Sequence, residues 1–280
     1  MLLYYALGGG LGHLVRARAF LHTLGLAGEA TLFTSSRFAD DPRVTGGLPV
    51  VRVPARLERD RGAVRALLLR TLEELGASRL VVDAFPAGLL GELSGIAPPG
   101  VALEHVARLL RWERYAADAS EDLPRFATTW VVEELHDDHR RALAAVSGEL
   151  VSLELADPAS PSPEPLEPPY ALVVHSGPDD ETVELVAFAR DLFRAEGAAP
   201  RLVVVAPSRP DGLPADVAWV DAFPATGWFA GAERIIAAAG FNLVRQTEPF
   251  RDRRVLVPFP RRYDDPFARA ARSRRTTKPG

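Results

Sequence analysis

The sequence predicts an α/β protein of two domains, each built on a parallel β-sheet. Two observations support this prediction: short apolar runs alternate with amphipathic stretches along the whole 280-residue chain, and a proline-rich segment divides the alternation into two halves. Strands that alternate with helices are joined by right-handed crossovers, which make neighbouring strands parallel. Because ligands of such sheets bind beyond the carboxyl ends of the strands, we expect functional residues in the loops that follow the strands.

The first half supplies six predicted strands and three predicted helices. In the stretch 62–76, apolar residues recur at helical spacing and form one face: Val64, Leu67, Leu68, Leu72 and Leu75. The run RLVVDAF is apolar without interruption up to Asp83, which is typical of a buried strand. The predicted strands are 2–7, 30–35, 50–55, 79–85, 101–106 and 126–134, and the predicted helices are 13–25, 62–76 and 136–148.

A linker is predicted at 157–169, because six of the residues from Pro158 to Pro169 are proline and such a composition is stiff and extended. It separates an N-terminal domain, 1–156, from a C-terminal domain, 170–280. The second half repeats the alternation, so we expect a second, smaller parallel sheet that faces the first across a cleft. Its predicted strands are 170–177, 201–208, 217–223, 234–240 and 254–260, and its predicted helices are 181–197, two short ones, and a terminal helix from Asp264.

Composition excludes several kinds of site. The chain has no cysteine, which excludes disulfides, a thiol nucleophile and cysteine metal ligands. The net charge of −4 gives no reason to expect a nucleic-acid partner. His136 and His139 are spaced by three on a predicted helix, where metal ligands prefer a spacing of four, so no metal centre is predicted.

Location and source are also predicted from composition. No run approaches the ~20 apolar residues of a membrane span, and the short apolar start lacks the basic lead of a signal peptide, so we expect a cytoplasmic protein. The basic C-terminal stretch is either a solvated terminus or a segment attracted to anionic headgroups at the inner face of the membrane. The near-exclusive use of arginine over lysine indicates a high-GC genome, and the scarcity of asparagine and glutamine suits a thermophile.

Four glycines separate the first predicted strand from the first helix, and His13 follows them. Glycine costs backbone entropy, so four glycines in one loop need a reason. They indicate a loop whose backbone closely approaches a ligand or another part of the chain. The loop fails as a dinucleotide fingerprint because His13 stands where the third glycine belongs and no acidic residue ends the second strand. A P-loop is excluded because the sequence has no G-K-[ST].

Three stretches carry a resemblance to a known family. GGGLGHLVRARAFLHTLG resembles the N-terminal G-G-x-G-G-H-x-x-x-A loop of the GT-B glycosyltransferases, especially the bacterial UDP-N-acetylglucosamine transferase of peptidoglycan synthesis and its uncharacterised relatives. AAAGFNLVRQTEPFRDRRVLVPFPRRYDDPFARAA resembles the family's C-terminal G-x-N-x-x-x-E, P-x-P and D-Q-x-x-x-A pattern, and VVDAFPAGLLGEL is similar to a strand end of the uncharacterised relatives. The resemblance implies a GT-B-like fold of two Rossmann-like domains, the first binding the acceptor and the second the nucleotide-sugar.

The resemblance also implies an activity: inverting, metal-independent transfer of a sugar from a UDP-sugar to an acceptor hydroxyl, with no cofactor besides that co-substrate. His13 suits the base, because imidazole titrates near neutral pH and a helix N-terminus favours its neutral form. Alternatively, His13 only caps the helix or shapes the glycine loop. Asp83 either orients His13, binds an acceptor hydroxyl, or caps a helix that starts near Pro86.

The remaining candidate residues bind substrates. The backbone amides of Gly9, Gly10 and Gly12 would approach the acceptor, including a phosphate on it. The residues implied to bind the nucleotide-sugar are Ser176, Gly177, Phe223, Gly240, Asn242, Gln246 and Asp265. The alternative for Phe223 is a core aromatic.

Three features depart from the family pattern. Gln246 stands where relatives carry a ribose-binding glutamate, and Pro266 stands where they carry a glutamine. Asp179 and Asp180 follow the diphosphate loop and either cap the next helix or point inward, where they would compete with an anion.

These departures keep two alternatives open: a non-catalytic GT-B-like protein that binds a nucleotide-sugar or a partner, and a nucleotide-sugar epimerase. The sequence specifies neither the sugar nor the acceptor. Membrane-associated molecules are among the acceptors that it allows. Relatives continue into a helix that crosses back to the N-terminal domain, and the C-terminal stretch is short for such a helix. We therefore expect either looser packing between the domains or packing supplied by a second copy in a homo-oligomer.

Overall fold

The computed structural model describes residues 1–119, 122–160, 164 and 166–275. They form two compact units: the first comprises Met1–Pro158 and Arg262–Asp264, and the second comprises Ala159–Arg261 and the chain from Asp265 onward. Residues 161–163 and 165 of the predicted linker, and residues 276–280 of the basic C-terminal stretch, lie outside the described residues.

The first unit is built on a seven-stranded parallel sheet. Its strands are β1 (Leu2–Ala6), β2 (Ala30–Thr34), β3 (Val50–Arg52), β4 (Arg79–Asp83), β5 (Ala102–Ala107), β6 (Phe126–Val131) and β7 (Ser147–Ser152). Its helices are α1 (Leu11–Thr23), α2 (Pro42–Thr45), α3 (Arg61–Glu74), α4 (Trp112–Asp118) and α5 (Asp137–Val146). The strand order is β3-β2-β1-β4-β5-β6-β7, so the sheet is wound in opposite directions from β1.

The second unit repeats this winding on a five-stranded parallel sheet of order β10-β9-β8-β11-β12. Its strands are β8 (Tyr170–Val174), β9 (Arg201–Val205), β10 (Ala218–Val220), β11 (Arg234–Ala238) and β12 (Arg254–Val257). Its helices are α6 (Asp179–Glu196), α7 (Phe241–Gln246) and α8 (Pro266–Arg275). The prediction of an α/β chain with two parallel sheets, the second smaller, is confirmed.

The central strands of both sheets are buried on both faces, which explains why they read as continuous apolar runs. In β8, Ala171 and Val173 pack into one apolar cluster with Leu185 of α6, whereas Leu172 and Val174 belong to the cluster on the opposite face. In the first unit, Leu3 and Tyr5 of β1 pack with α3, and Tyr4 turns the other way, toward Phe20 of α1. Burial of apolar surface contributes ~25 cal/mol per Å², so we expect these cores, which lie on both faces of each sheet, to be the main source of stability.

The sequence predicted neither α2 nor α4, and the local structure differs from the prediction in three further respects. Strand β7 was missed because SGELVS mixes polar and apolar residues and follows α5 without a loop. Helix α1 begins at Leu11 and not at His13, so Gly12 lies in its first turn and not in the loop. No helix starts near Pro86, because the chain between β4 and β5 forms turns and bends. The alternative in which Asp83 caps such a helix is therefore wrong.

In the residues that the structure describes, no helix is both long enough and apolar enough to span a bilayer.

Candidate functional site

The carboxyl end of the first sheet brings His13 and Asp83 together at the point where the winding reverses. Strand β4 pairs directly with β1, with Tyr5 opposite Val82, although the two strands are far apart in the chain. His13 is the third residue of α1, which follows β1, and Asp83 is the last residue of β4. Such a reversal point is where open parallel sheets bind ligands.

Asp83 is the centre of a buried hydrogen-bond cluster. Its Oδ1 accepts from the Tyr4 hydroxyl at 3.0 Å and from Nε of Arg16 at 2.6 Å. Its Oδ2 lies 2.5 Å from Nδ1 of His13 and also accepts from Nη2 of Arg16. An ionised carboxylate offers about four acceptor positions, so all of those on Asp83 are used. The carboxylate is 0% exposed and therefore orients His13 without reaching solvent.

The charges around His13 favour its neutral form. Burial lowers the pKa of His13 below 6.5, and the guanidinium groups of Arg16 and Arg108 lower it further, against the opposing effect of Asp83. Burial by itself would raise the pKa of Asp83, but the charge of Arg16 and the hydrogen bond from His13 hold it well below the usual range. Because Nδ1 faces a carboxylate, it carries the ring proton, and Nε2 is the nitrogen with a free lone pair.

One glycine of the opening loop is required by His13 itself. Gly8 has φ +150°, and a Cβ there would lie 2.6 Å from Cδ2 and 2.7 Å from Nε2 of the His13 ring. Gly9 and Gly10 are exposed, and a Cβ on either would meet open space. Gly12 is also exposed, in the first turn of α1. The predicted acceptor-binding glycines therefore line an accessible edge, and Gly8 makes room for the imidazole.

Two residues of this cluster, Tyr4 and Arg16, were missed from the sequence, and Gly8 was placed in the opening loop but not among the site residues. For Arg16 a signal existed, because it lies three residues after His13 and therefore on the same face of a helix. An arginine that is only 2% exposed needs a buried partner, and the sequence did not indicate that Arg16 would be buried.

Residues that follow β4 and β5 lie on one side of the His13 ring. Phe85 lies with its ring centroid 5.8 Å from that of His13, and the Arg108 guanidinium lies over Phe85 at 5.7 Å. Arg108 is itself buried and forms an ion pair with Asp264. Tyr263 packs edge-on against Phe85 at 5.7 Å. Aromatic and guanidinium groups thus enclose one side of the imidazole.

In the second unit, the candidate phosphate loop follows β8. Ser176 and Gly177 are half-buried, between His175 and the start of α6. The Asp179 carboxylate accepts from the backbone N–H of Asp211 at 3.0 Å, and the exposed Asp180 accepts from the backbone N–H of Glu181 at 2.9 Å. The charge of Asp180 opposes the burial that lowers the pKa of His175. Both carboxylates therefore hold backbone donors, and their competition with a bound anion stays a prediction.

A different carboxylate lies against this loop. Glu181, in the first turn of α6, has its Oε2 2.9 Å from Nε2 of His175, and both of its oxygens accept from the Arg261 guanidinium, the Nη1–Oε1 distance being 2.5 Å. A Cβ on Gly177 would lie 3.3 Å from that Oε2 and 2.4 Å from the His175 ring. Burial raises the pKa of Glu181, but Arg261 outweighs it and the net pKa is lowered, so the group is ionised.

Glu181 was missed from the sequence because an acidic residue in a first helical turn is ordinarily a solvated partner of the helix dipole. Its partner Arg261 lies 80 positions later, four residues after the end of β12.

The other predicted nucleotide-sugar residues are distributed over the same edge of the second sheet. Gly240 is the N-cap of α7, directly after β11, and Asn242 and Gln246 lie on α7, both half-buried. Phe223 follows β10 and is half-buried. Asp265 precedes α8, where its Oδ1 accepts from the backbone N–H of Ala268 at 3.0 Å, so it caps that helix.

Comparison with solved structures identifies the fold. A spinosyn forosaminyltransferase aligns with a TM-score of 0.63 at 14% identity over 96% of this chain and 82% of its own. A spinosyn rhamnosyltransferase in complex with thymidine diphosphate aligns with a TM-score of 0.60 at 15% identity over 99% and 84%. The UDP-N-acetylglucosamine 2-epimerase of Rickettsia bellii aligns with a TM-score of 0.53 at 12% identity over 88% and 76%.

The chain has the GT-B fold. The sequence matches no protein-family model and no curated protein, so the structural likeness establishes the fold alone. The resemblance stated from the sequence is confirmed at this level.

Within this GT-B fold, a cavity of about 620 Å³ in the first unit lies away from His13. Its lining includes Leu103 and Phe126, at the amino ends of β5 and β6, together with Asp122 and Arg125. Ligands of parallel sheets bind at the carboxyl ends of the strands, so this cavity at the amino ends lies outside the candidate site. No group of three or more metal-ligating side chains occurs in the described part of the chain.

Proposed function

We propose that this protein is a glycosyltransferase that moves a sugar from a nucleoside diphosphate donor to an acceptor hydroxyl, with inversion and without a metal ion. The observation that carries the proposal is the His13–Asp83 pair: Nδ1 lies 2.5 Å from the carboxylate, and the imidazole, packed against Gly8, keeps 15% of its side chain exposed. A neutral imidazole fixed by a buried carboxylate is the arrangement expected of a general base.

In the proposed reaction, Nε2 of His13 takes the proton of the acceptor hydroxyl while its oxygen forms a bond to the anomeric carbon. The bond from that carbon to the diphosphate oxygen breaks, and the diphosphate leaves with the electron pair. Attack opposite the leaving group inverts the anomeric centre. Asp83 stays ionised and stabilises the imidazolium through Nδ1–H, because its acceptor positions are already filled by donors.

We propose that the first unit binds the acceptor and the second the donor. The amides of Gly9, Gly10 and Gly12 lie on the accessible edge beside His13, which supports a role in acceptor binding. For the donor, the proposed contacts are Ser176, Gly177, Gly240 and Asn242 at the phosphates, Gln246 at the ribose, Phe223 at the base and Asp265 at the sugar.

The identity of the nucleotide is a separate proposal. The resemblance favours UDP, whereas the aligned rhamnosyltransferase was solved with thymidine diphosphate. Uracil and thymine are both pyrimidines, so we expect a pyrimidine nucleoside diphosphate and test both bases. Arg261 has a guanidinium fork of the kind that binds phosphate, and in this structure the fork is paired with Glu181.

A second candidate function is a GT-B-like protein without transferase activity. The observation that favours it is Glu181, whose ionised carboxylate occupies the Arg261 fork beside Gly177. In that case the second unit binds nucleoside diphosphates weakly or not at all.

The test is to incubate the full chain with a panel of UDP- and TDP-sugars and to measure nucleoside diphosphate release, with and without a mixture of hydroxyl acceptors. Release that depends on an acceptor supports the transferase. Conversion of the donor sugar to an epimer without acceptor indicates an epimerase. If no donor is consumed and calorimetry detects no nucleotide binding, the transferase proposal is wrong.

A further inference from the structure

Arg16 is a buried cation that donates hydrogen bonds to both carboxylate oxygens of Asp83. Among the described residues, it is the one cation that does so. Its Nε lies 2.6 Å from Oδ1, its Nη2 bonds Oδ2, and the two residues are 2% and 1% exposed. A guanidinium donates two parallel hydrogen bonds to a carboxylate in a fixed plane, so this contact determines how the carboxylate is oriented.

The same contact determines the charge that His13 meets. The carboxylate and the guanidinium form a neutral unit, and Nη2 of Arg16 lies 3.3 Å from Nδ1 of His13. The other groups that act on His13 are the Arg108 cation and the uncharged ring of Phe85. Asp264 and the Tyr4 hydroxyl act on Arg16. Without Arg16, Asp83 would be a bare buried anion beside the imidazole and would favour its protonated form.

We propose that Arg16 is a positioning residue for His13: it fixes the Asp83 carboxylate against Nδ1 and cancels its charge, so that Nε2 stays unprotonated and accepts the substrate proton. This inference rests on the proposed function in one respect, that the proton which Nε2 accepts comes from a substrate. The orientation and the protonation state of His13 are measurable without any substrate.

The experiment is a nitrogen NMR titration of the histidine side chains in the full chain, with His13 assigned through the His13→Gln variant. In the wild-type protein, His13 should titrate below pH 6.5 and carry its neutral-form proton on Nδ1. In Arg16→Met the titration should move to higher pH, with at least about a tenfold gain in proton affinity, or one pKa unit. Arg16→Lys keeps the charge but binds one oxygen, so a smaller movement is expected.

Arg18→Met is the matched control. Arg18 lies on the same helix, but its side chain donates to the Arg43 carbonyl, so the His13 titration should not move. A wild-type His13 that titrates above pH 6.5, or carries its proton on Nε2, overturns the proposal even if Arg16→Met does not fold. Folded Arg16 variants with an unchanged titration also overturn it. If the His13 titrations are as predicted but no donor is turned over, the transferase proposal is wrong. The effect of Arg16 on the protonation of His13 is then still supported.

Discussion

A Cβ placed on Gly8 would lie 2.6 Å from the ring of His13, so the glycine and the imidazole occupy adjoining space. We predict that Gly8→Ala displaces the His13 ring and abolishes transferase activity, at a stability cost of about 1–3 kcal/mol, because real Cβ atoms do not approach so closely and the backbone has φ +150°. Gly28→Ala is the matched control, since Gly28 lies outside the candidate site and its Cβ would meet open space. Enzyme assays and chemical denaturation of both variants test this, and equal activity in both would contradict it.

Asp83 should matter for stability as well as for activity. Asp83→Asn leaves the Arg16 guanidinium buried without a counter-charge, which typically costs about 3–5 kcal/mol of unfolding free energy. The rate should fall by roughly 10²–10⁴, the effect expected when a base loses the carboxylate that orients it. Asp118→Asn, at the exposed pair with Arg262, should leave the stability close to that of wild type. Thermal denaturation together with turnover separates the two effects, and an Asp83→Asn protein as stable as wild type would refute the buried-pair account.

The Glu181–Arg261 pair predicts opposite effects of two substitutions on nucleotide affinity. Glu181→Gln removes the anion that competes for the guanidinium, so the binding of UDP or TDP should tighten by about tenfold, or ~1.4 kcal/mol. Arg261→Gln should weaken binding by a similar factor, because the fork that would hold a phosphate is lost. The neighbour Arg262 pairs with Asp118, so Arg262→Gln should leave the affinity unchanged. Calorimetric titration measures all three, and a looser complex with Glu181→Gln would show that this carboxylate assists binding.

Acid should destabilise the fold through its buried histidines. Burial lowers the pKa of His105 to about 4, whereas the unfolded chain takes up that proton near 6.5. The unfolded state therefore binds more protons as the pH falls from 6.5 to 4, and stability is lost over that window, by roughly 3 kcal/mol for this residue alone. His139, with a pKa of about 3 for the same reason, adds to the loss.

The check is urea denaturation at pH 7 and pH 4 of the wild type, His105→Leu and His22→Leu. His105→Leu should lose less stability on acidification than wild type, since one of the responsible groups is gone. His22 is exposed on α1, so its variant should follow the wild type. An identical acid dependence in all three proteins would rule out His105 as a source.

The fold could be predicted because its signal is local. The runs around Tyr4 and Leu172 are apolar at every position, which fits strands buried on both faces, and Val64, Leu68 and Leu72 recur at helical spacing. Strand β7 lacks such a run, since Gly148 and Glu149 are exposed at the edge of the sheet.

The site was predictable only in part, because its contacts depend on strand order. His13 and Asp83 could be placed at strand ends from the sequence, but their contact requires β4 to lie beside β1, which no local pattern specifies. The Arg16 contact with Asp83 follows from the same pairing. Glu181 is harder still, because its inward turn depends on an arginine on another strand end, 80 positions later.

The central claim is that His13 is the base for sugar transfer, and single-turnover release of nucleoside diphosphate from the best donor–acceptor pair tests it most directly. We predict that His13→Ala is slower than wild type by at least about 10²-fold, that His22→Ala, on the same helix, is unchanged, and that the wild-type rate falls only below pH 6.5. A His13→Ala protein that turns over at the wild-type rate would contradict the claim.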